Sequence, residues 1–202
     1  MSKKGLLLVV SGPSGVGKGT VCKEYLASHP ECVLSVSATT RAPREGEQDG
    51  VHYHFLTVAD FKKKIDDHGF LEHAVFCENY YGTPKDTVMK MLDEGKDVIL
   101  EIEVQGALQV RSHYPEGVFI FVLPPDMEEL ENRLRGRGTE TDEVVQKRLL
   151  RAKTEFNFIE KYNYVLINDT VENAVKTLSS IVSAEKCLLS RNYKEIKEEF
   201  IK

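Results

Sequence analysis

Nine consecutive residues, Gly12-Pro13-Ser14-Gly15-Val16-Gly17-Lys18-Gly19-Thr20, concentrate phosphate chemistry near the start of the chain. Closely spaced glycines let a backbone curl with its N–H groups turned inward, making a nest for phosphate oxygens. Lys18 adds a mobile point charge able to reach outer phosphates. Apolar residues 5–11 precede the run and residues 21–26 follow with helical apolar spacing. The loop therefore joins a strand to a helix, whose free amides and partial positive charge complete the nest. Strand, glycine-rich turn, lysine and helix, in that order, are the parts of a phosphate-binding P-loop. The plainer alternative is a glycine-rich turn with an exposed lysine.

Three further groupings carry chemistry. Arg41 and Arg44 stand three apart in the polar stretch 39–50, with Tyr53 just downstream. Two guanidinium forks and a neutral hydroxyl suit one phosphate; on charge pattern alone, pairing with Glu45, Glu47 and Asp49 would explain these arginines equally well. Glu101 and Glu103 end the apolar run 97–103 two residues apart, so both leave one face of a strand near its C-terminal end, where an acid meets magnesium or its waters. Arg133, Arg135, Arg137, Arg148 and Arg151 flank a break at Gly136 and Gly138. For Arg135 and Arg151 an ordinary charged helix face paired with Glu128, Glu129, Glu131 and Glu143 is expected. The six histidines show no metal spacing, with His52 and His54 turned to solvent around Tyr53.

The elements that must position these groups follow from periodicity. Strands are expected at 5–11, 32–37, 51–56, 70–76, 97–103, 118–123 and 164–167. Val51, Tyr53 and Phe55 share one face, and 79–83 is a turn. Thr57 caps a helix over 58–68, Pro84 opens one ending near Gly95, and others cover 105–113, 126–135, 142–158 behind Thr141, and 171–189 behind Thr170. The charged tail from Arg191 is a solvated helical end. Apolar strands alternating with helices give a parallel sheet with helices on both faces. The half-polar strands of 37–83 break the alternation and form an inserted lobe.

With 202 residues, 41% hydrophobic and 29% charged, the chain fits one soluble domain. The net charge of −5 argues against sequence-independent nucleic-acid binding, while local arginines still permit anionic small molecules. Cys22, Cys32, Cys77 and Cys187 lie far apart, as free thiols in a reducing compartment do. The apolar start is too short for a signal peptide or membrane span. A cytoplasmic location without membrane attachment is expected; oligomeric state is not legible.

The stretch Thr39–Phe55, TTRAPREGEQDGVHYHF, resembles the signature of guanylate kinases position for position, and GPSGVGKGT, VILEIEVQGA and LRGRGTET are similar to that family in its order. The resemblance spans residues 5–185. It implies a P-loop nucleoside monophosphate kinase fold: a parallel sheet core flanked by helices (about 1–36, 84–124 and 162–202), an inserted GMP-binding lobe (about 37–83) and a mobile helical lid (about 125–161). It implies transfer of the γ-phosphoryl group of ATP to GMP, giving ADP and GDP, with Mg²⁺ carried as MgATP. ATP is held by Gly12, Pro13, Ser14, Gly15, Val16, Gly17, Lys18, Gly19 and Thr20, with Arg133 and Arg137. The GMP phosphate is held by Arg41, Arg44, Tyr53 and Tyr81, and its guanine by Ser37, Glu72 and Thr83, with Glu103 nearby. Lys18, Arg41, Arg137 and Arg148 are the catalytic charges.

Two details modify the family pattern. Gly19 occupies the position where P-loops usually place a metal-binding Ser or Thr, and GKGT resembles adenylate kinases there. Mg²⁺ is therefore expected on phosphates and water, with Glu101 in contact through water. Glu72 is chemically apt: guanine offers N1–H and the N2 amino group side by side to a carboxylate, whereas adenine offers a lone pair. Without the resemblance, Glu72 reads as an outward acid on an alternating strand. Another nucleoside monophosphate kinase, or a non-catalytic module of guanylate-kinase shape, are the alternatives.

Overall fold

Every residue of β1 (Leu7–Ser11) is buried, which is what an apolar run at the centre of a parallel sheet requires. The computed structural model describes residues 4–76, 78–136 and 141–200. After β1 come α1 (Lys18–Ser28), β2 (Cys32–Leu34), β3 (Ala38–Thr39), β4 (His54–Phe55), α2 (Val58–Asp66), β5 (Phe70–Phe76) and β6 (Asn79–Pro84). Then follow α3 (Lys85–Asp93), β7 (Asp97–Glu101), α4 (Val104–His113), β8 (Val118–Leu123), α5 (Met127–Arg135) and α6 (Asp142–Phe156). A 3-10 turn (Ile159–Lys161), β9 (Tyr164–Ile167), α7 (Val171–Cys187) and α8 (Leu189–Phe200) complete the chain.

Five parallel strands form the main sheet in the order β2-β7-β1-β8-β9. Strand alternation divides its core in two. Leu8 and Val10 of β1 join Val21 and Tyr25 of α1 and Leu178 and Val182 of α7 on one face. Leu7 and Val9 join Val88 and Leu92 of α3 and Ala107 and Val110 of α4 on the other. β1 has β7 on one side and β8 on the other, so the loop after it opens at the switch point where such sheets bind ligands.

The second sheet, β4-β3-β6-β5, is mixed: β3 runs parallel to β4 and antiparallel to β6, which is antiparallel to β5. Its own small core holds Ala38, Phe61 of α2 and Phe70, with the two phenylalanine rings stacked at 4.4 Å. Thr57 caps α2 by accepting from the Asp60 N–H at 3.1 Å.

Several expected elements differ. Residues 79–83 are not a turn but part of strand β6; the Asn-Tyr-Tyr-Gly signal was outweighed by pairing along β5. The expected strand 32–37 stops at Leu34; the next strand, β3, begins only at Ala38 and belongs to the second sheet. Of 51–56 only His54–Phe55 is strand, and Val51 is 61% exposed, so no common apolar face joins Val51, Tyr53 and Phe55. His54 is half-buried rather than solvent-facing. Thr141 takes the N-cap position of α6 without a side-chain cap bond. Among the described residues Cys22, Cys32 and Cys187 are free thiols; Cys77 lies outside them. Burial pushes the thiols of Cys22 and Cys32 up to about 12, so neither is reactive.

Candidate active site

The glycine-rich loop is braced from behind. Gly17, the N-cap of α1, has φ of 90°, and a Cβ there would lie 2.4 Å from Asn168 Nδ2; only glycine meets both demands. Asn168, just past β9, donates to the Val16 carbonyl at 2.8 Å. Arg133 of α5 donates to the same carbonyl at 3.3 Å and to the Asn168 carbonyl at 2.9 Å, while Glu129 holds its Nε at 2.7 Å. Lys18, only 9% exposed, arches back over the loop and donates to the carbonyls of Gly12 at 2.6 Å and Pro13 at 3.1 Å. An ammonium poised on loop carbonyls exchanges those neutral acceptors for anionic phosphate oxygens readily, because charged acceptors bind about twice as strongly.

The strand expected over 97–103 ends at Glu101, the last residue of β7, so Glu103 caps α4 instead of sharing a strand face with Glu101. A Cβ on Gly19 would lie 3.2 Å from Glu101 Oε1, so Glu101 covers the first turn of α1 where a hydroxyl side chain usually stands. Burial pushes the Glu101 carboxyl above its ordinary range; Lys18 opposes the shift and Glu103 adds to it. Glu103, the N-cap of α4, lies 3.9 Å from Lys18 Nζ and accepts from Arg151 Nη2 at 3.1 Å. Arg151 in turn donates from Nε to buried Glu155 at 2.8 Å. The helix-face pairing expected of Arg151 is present, with Glu155 one turn on rather than with the acids expected, and Arg151 has a second partner across the fold in Glu103, 48 residues away in sequence. Arg135 pairs along its helix with Glu131, and also with Asp142.

In the second sheet, Arg41 donates to Glu47 Oε1 at 2.9 Å and to the Ala42 carbonyl at 2.8 Å, and lies over the Tyr53 ring at 5.5 Å. The Arg41 guanidinium and the Arg44 N–H hold the Glu47 carboxyl down at about 2. Tyr53 and Tyr81 meet edge to face at 6.1 Å. Tyr81 and Thr83 lie two apart on β6, hence on one face and about 7 Å apart. Thr83 faces Glu72 across the ladder and donates to its Oε1 at 2.6 Å. Glu72 is 7% exposed, and burial raises its carboxyl against the opposing Thr83 bond.

One helix joins the two halves. A Cβ on Gly106 would lie 2.7 Å from Glu72 Oε2, so the glycine lets the backbone of α4 approach that carboxylate. Glu103, beside Lys18, is three residues earlier, about 4.5 Å along the helix axis. The loop lysine and the buried acid of the second sheet are therefore bridged by less than one helical turn.

Among the expected site residues, Lys18, Gly19, Glu101, Glu103 and Arg133 gather at the loop, and Arg41, Tyr53, Tyr81, Glu72 and Thr83 line the second sheet. Arg44 is exposed at the start of the turn closed by Glu47. Ser37 is half-buried, its carbonyl accepting from the His54 N–H at 2.8 Å. Arg148 is half-buried on α6, one turn before Arg151. Arg137 lies outside the described residues. Arg133 grips the loop backbone, a role its sequence neighbourhood does not announce. Asn168 was not anticipated, though it had one signal, its place just beyond a buried strand at the ligand-binding end of the sheet; Arg151 was expected only as a helix-face charge, and its bond to Glu103 had no sequence signal.

The family model described as guanylate kinase matches residues 4–185. The guanylate kinase of Clostridium acetobutylicum is 59% identical over 191 residues, covering 95% of this chain and 91% of that protein. That of Caldanaerobacter subterraneus subsp. tengcongensis is 52% identical over 204 residues, covering 100% and 99%. In structure, the chain is similar to the crystal structure of guanylate kinase from Anaplasma phagocytophilum, with a TM-score of 0.76, 32% identity and coverage of 99% and 97%.

Proposed function

The chain belongs to the guanylate kinase family, and from that premise we propose how its residues divide the work of the reaction ATP + GMP ⇌ ADP + GDP. It is a GMP-phosphorylating kinase. An oxygen of the GMP phosphate attacks the γ-phosphorus, and the bond from that phosphorus to the β–γ bridging oxygen breaks, leaving ADP. The attacking oxygen is already anionic, so no general base is needed. The task is to bring two anions into line, by positioning and charge stabilisation.

Residues 12–20 would hold the ATP phosphates, with Lys18 following the charge that develops on the γ-phosphoryl group. Arg133 would act on this half by bracing the loop, and Arg137 and Arg148 would close on the transferring group. Arg41, Arg44, Tyr53 and Tyr81 would take the GMP phosphate; Arg41 would exchange Glu47 for it. Ser37, Glu72 and Thr83 would take the guanine. Glu103, held between Lys18 and Arg151, would face the space between the nucleotides. The division into a core (1–36, 84–124, 162–202), a GMP-binding lobe (37–83) and a lid (125–161) belongs to the same proposal.

Magnesium fits a limited role for the protein. Among the described residues no three His, Cys, Asp or Glu side chains cluster to hold an ion, and Gly19 offers no hydroxyl. A single carboxylate, Glu101, beside the first turn of α1 suits an ion that keeps its waters and binds chiefly through phosphates. When bound, it supplies Lewis-acid charge at the β- and γ-phosphates. Among the described residues no helix is long and apolar enough to cross a membrane; a cytoplasmic location belongs to the same proposal.

The observation that carries the reading is the buried Glu72–Thr83 pair on the same face as the Arg41–Tyr53–Tyr81 cluster, tied to Lys18 through α4. Its test is ADP formation with GMP, AMP, UMP and dTMP as acceptors. Strong preference for GMP is expected, and equal or higher activity with AMP would overturn the guanine assignment.

A further inference from the structure

Glu72 sits on β5, the outermost strand of its sheet. There the pairing with β6 is irregular between Phe70 and Glu72, so the ladder alone holds this residue less firmly than those after it. The groups of Leu71 and His73, two apart, turn away from β6. At an open edge they would be bare donors and acceptors. Helix α4 takes them instead. Gln109 Oε1 accepts from the His73 N–H at 3.1 Å, and Gln109 Nε2 donates to the His73 carbonyl at 3.0 Å. His113 Nδ1 donates to the Leu71 carbonyl at 3.0 Å. Gly106, Gln109 and His113 recur at helical spacing on one face, and Gly106 is the residue against which the Glu72 carboxylate rests. A primary amide, with one acceptor end and one donor end, is the side chain that can replace both bonds of a neighbouring strand.

We propose that Gln109 is a positioning residue for base recognition: by clamping both main-chain groups of His73, with His113 on Leu71, it fixes the Glu72 carboxylate and thereby sets selectivity for GMP. The proposal rests on the assignment of Glu72 to guanine made above. Misplacing a recognition group by about 1 Å costs on the order of 10²-fold. Gln109→Ala should therefore raise KM for GMP by roughly 10- to 100-fold and lower the GMP-to-AMP ratio of kcat/KM, while KM for ATP stays near that of the wild type. Gln109→Glu adds a readout that a merely structural role would not move. Its carboxylate places an acceptor against the His73 carbonyl, whereas its protonated form restores one donor and one acceptor. Its selectivity, relative to wild type, should improve as pH falls toward about 4.3, where a glutamate carboxyl takes up its proton.

Both variants are assayed beside Glu72→Gln. If Glu72→Gln collapses selectivity while Gln109→Ala leaves it intact, or changes KM for GMP and ATP in equal proportion, the Gln109 proposal is overturned and the Glu72 assignment stands. If Glu72→Gln leaves selectivity intact, the Glu72 assignment is itself wrong and this proposal falls with it. Should Gln109→Ala not fold, a Gln109→Glu enzyme as selective as the wild type at every pH is the overturning result.

Discussion

A carboxylate that is 7% exposed and is met by the hydroxyl and backbone N–H of Thr83, as at Glu72, is costly to keep charged in the empty protein. Burial raises its folded-state pKa above the unfolded value of about 4.3. Its contribution is then fully present below that unfolded value and is lost as pH rises through the folded pKa. Glu72→Gln keeps the acceptor for Thr83 and removes the charge. Without nucleotide at neutral pH, this variant should melt at or above the wild-type temperature, with the gap closing in acid. The same change sets an amide donor against a guanine donor, so kcat/KM for GMP should fall by about 10²–10⁴-fold with KM for ATP little changed. Thermal melts over pH and steady-state kinetics check the two halves. A variant that is less stable and loses both nucleotides equally would mark Glu72 as structural.

At the scale of elements, α4 and α6 converge on Glu103. Arg151 and Glu103 are 54% and 52% exposed, so their ion pair should be worth only about 0.2–1 kcal/mol. A double-mutant cycle on Arg151→Ala and Glu103→Gln, read in unfolding free energy, should give a coupling in that range. Zero coupling would mean that α6 is placed by apolar packing alone. Asp97, at the start of β7, is 2% exposed; it accepts from the Leu6 N–H at 2.9 Å and pairs with Lys186 of α7 at 2.7 Å. Asp97→Ala leaves the buried Leu6 N–H without its acceptor at the end of the central strands, while half-exposed Lys186 keeps its water, so denaturant melts should show a loss of about 1–3 kcal/mol. Activity below the melting range should survive, because the residue lies at the end of β7 away from the loop.

These examples mark what was legible in the sequence. The apolar strands β1, β7 and β8 and the glycine-rich loop were readable because their signals are local. Strand β6 was not: Asn79 and Gly82 read as turn residues until the partner strand β5 is known. The Arg41–Glu47 pair lies within one loop and could be weighed from spacing. The Arg151–Glu103 pair, and the clamp of Gln109 on β5, exist only once helices are packed. Glu72 stands between these cases. Alternation on a strand predicts an outward acid, and what buries it is a glycine on a helix 34 residues later.

At the scale of the whole molecule, a chain of net charge −5 must attract two anionic nucleotides. Total charge and local charge predict opposite responses to salt. If the net charge governed encounter, screening would relieve repulsion, and KM for GMP would fall as salt rises. If Lys18 and the arginines facing the two half-sites govern it, screening weakens an attraction, and KM for GMP should rise. The local term should dominate, because the Debye length at physiological ionic strength is only about 8 Å. That distance spans Arg41 and the Tyr53–Tyr81 pair beside it. The measurement is KM for GMP at saturating MgATP in KCl from about 0.02 to about 0.3 M, with a rise of several-fold expected. Arg44→Ala, which removes an exposed guanidinium proposed above for the GMP phosphate, should raise KM at low salt and flatten the dependence. A KM for GMP that stays constant or falls with added salt would show that the arginine-lined face does not steer the nucleotide.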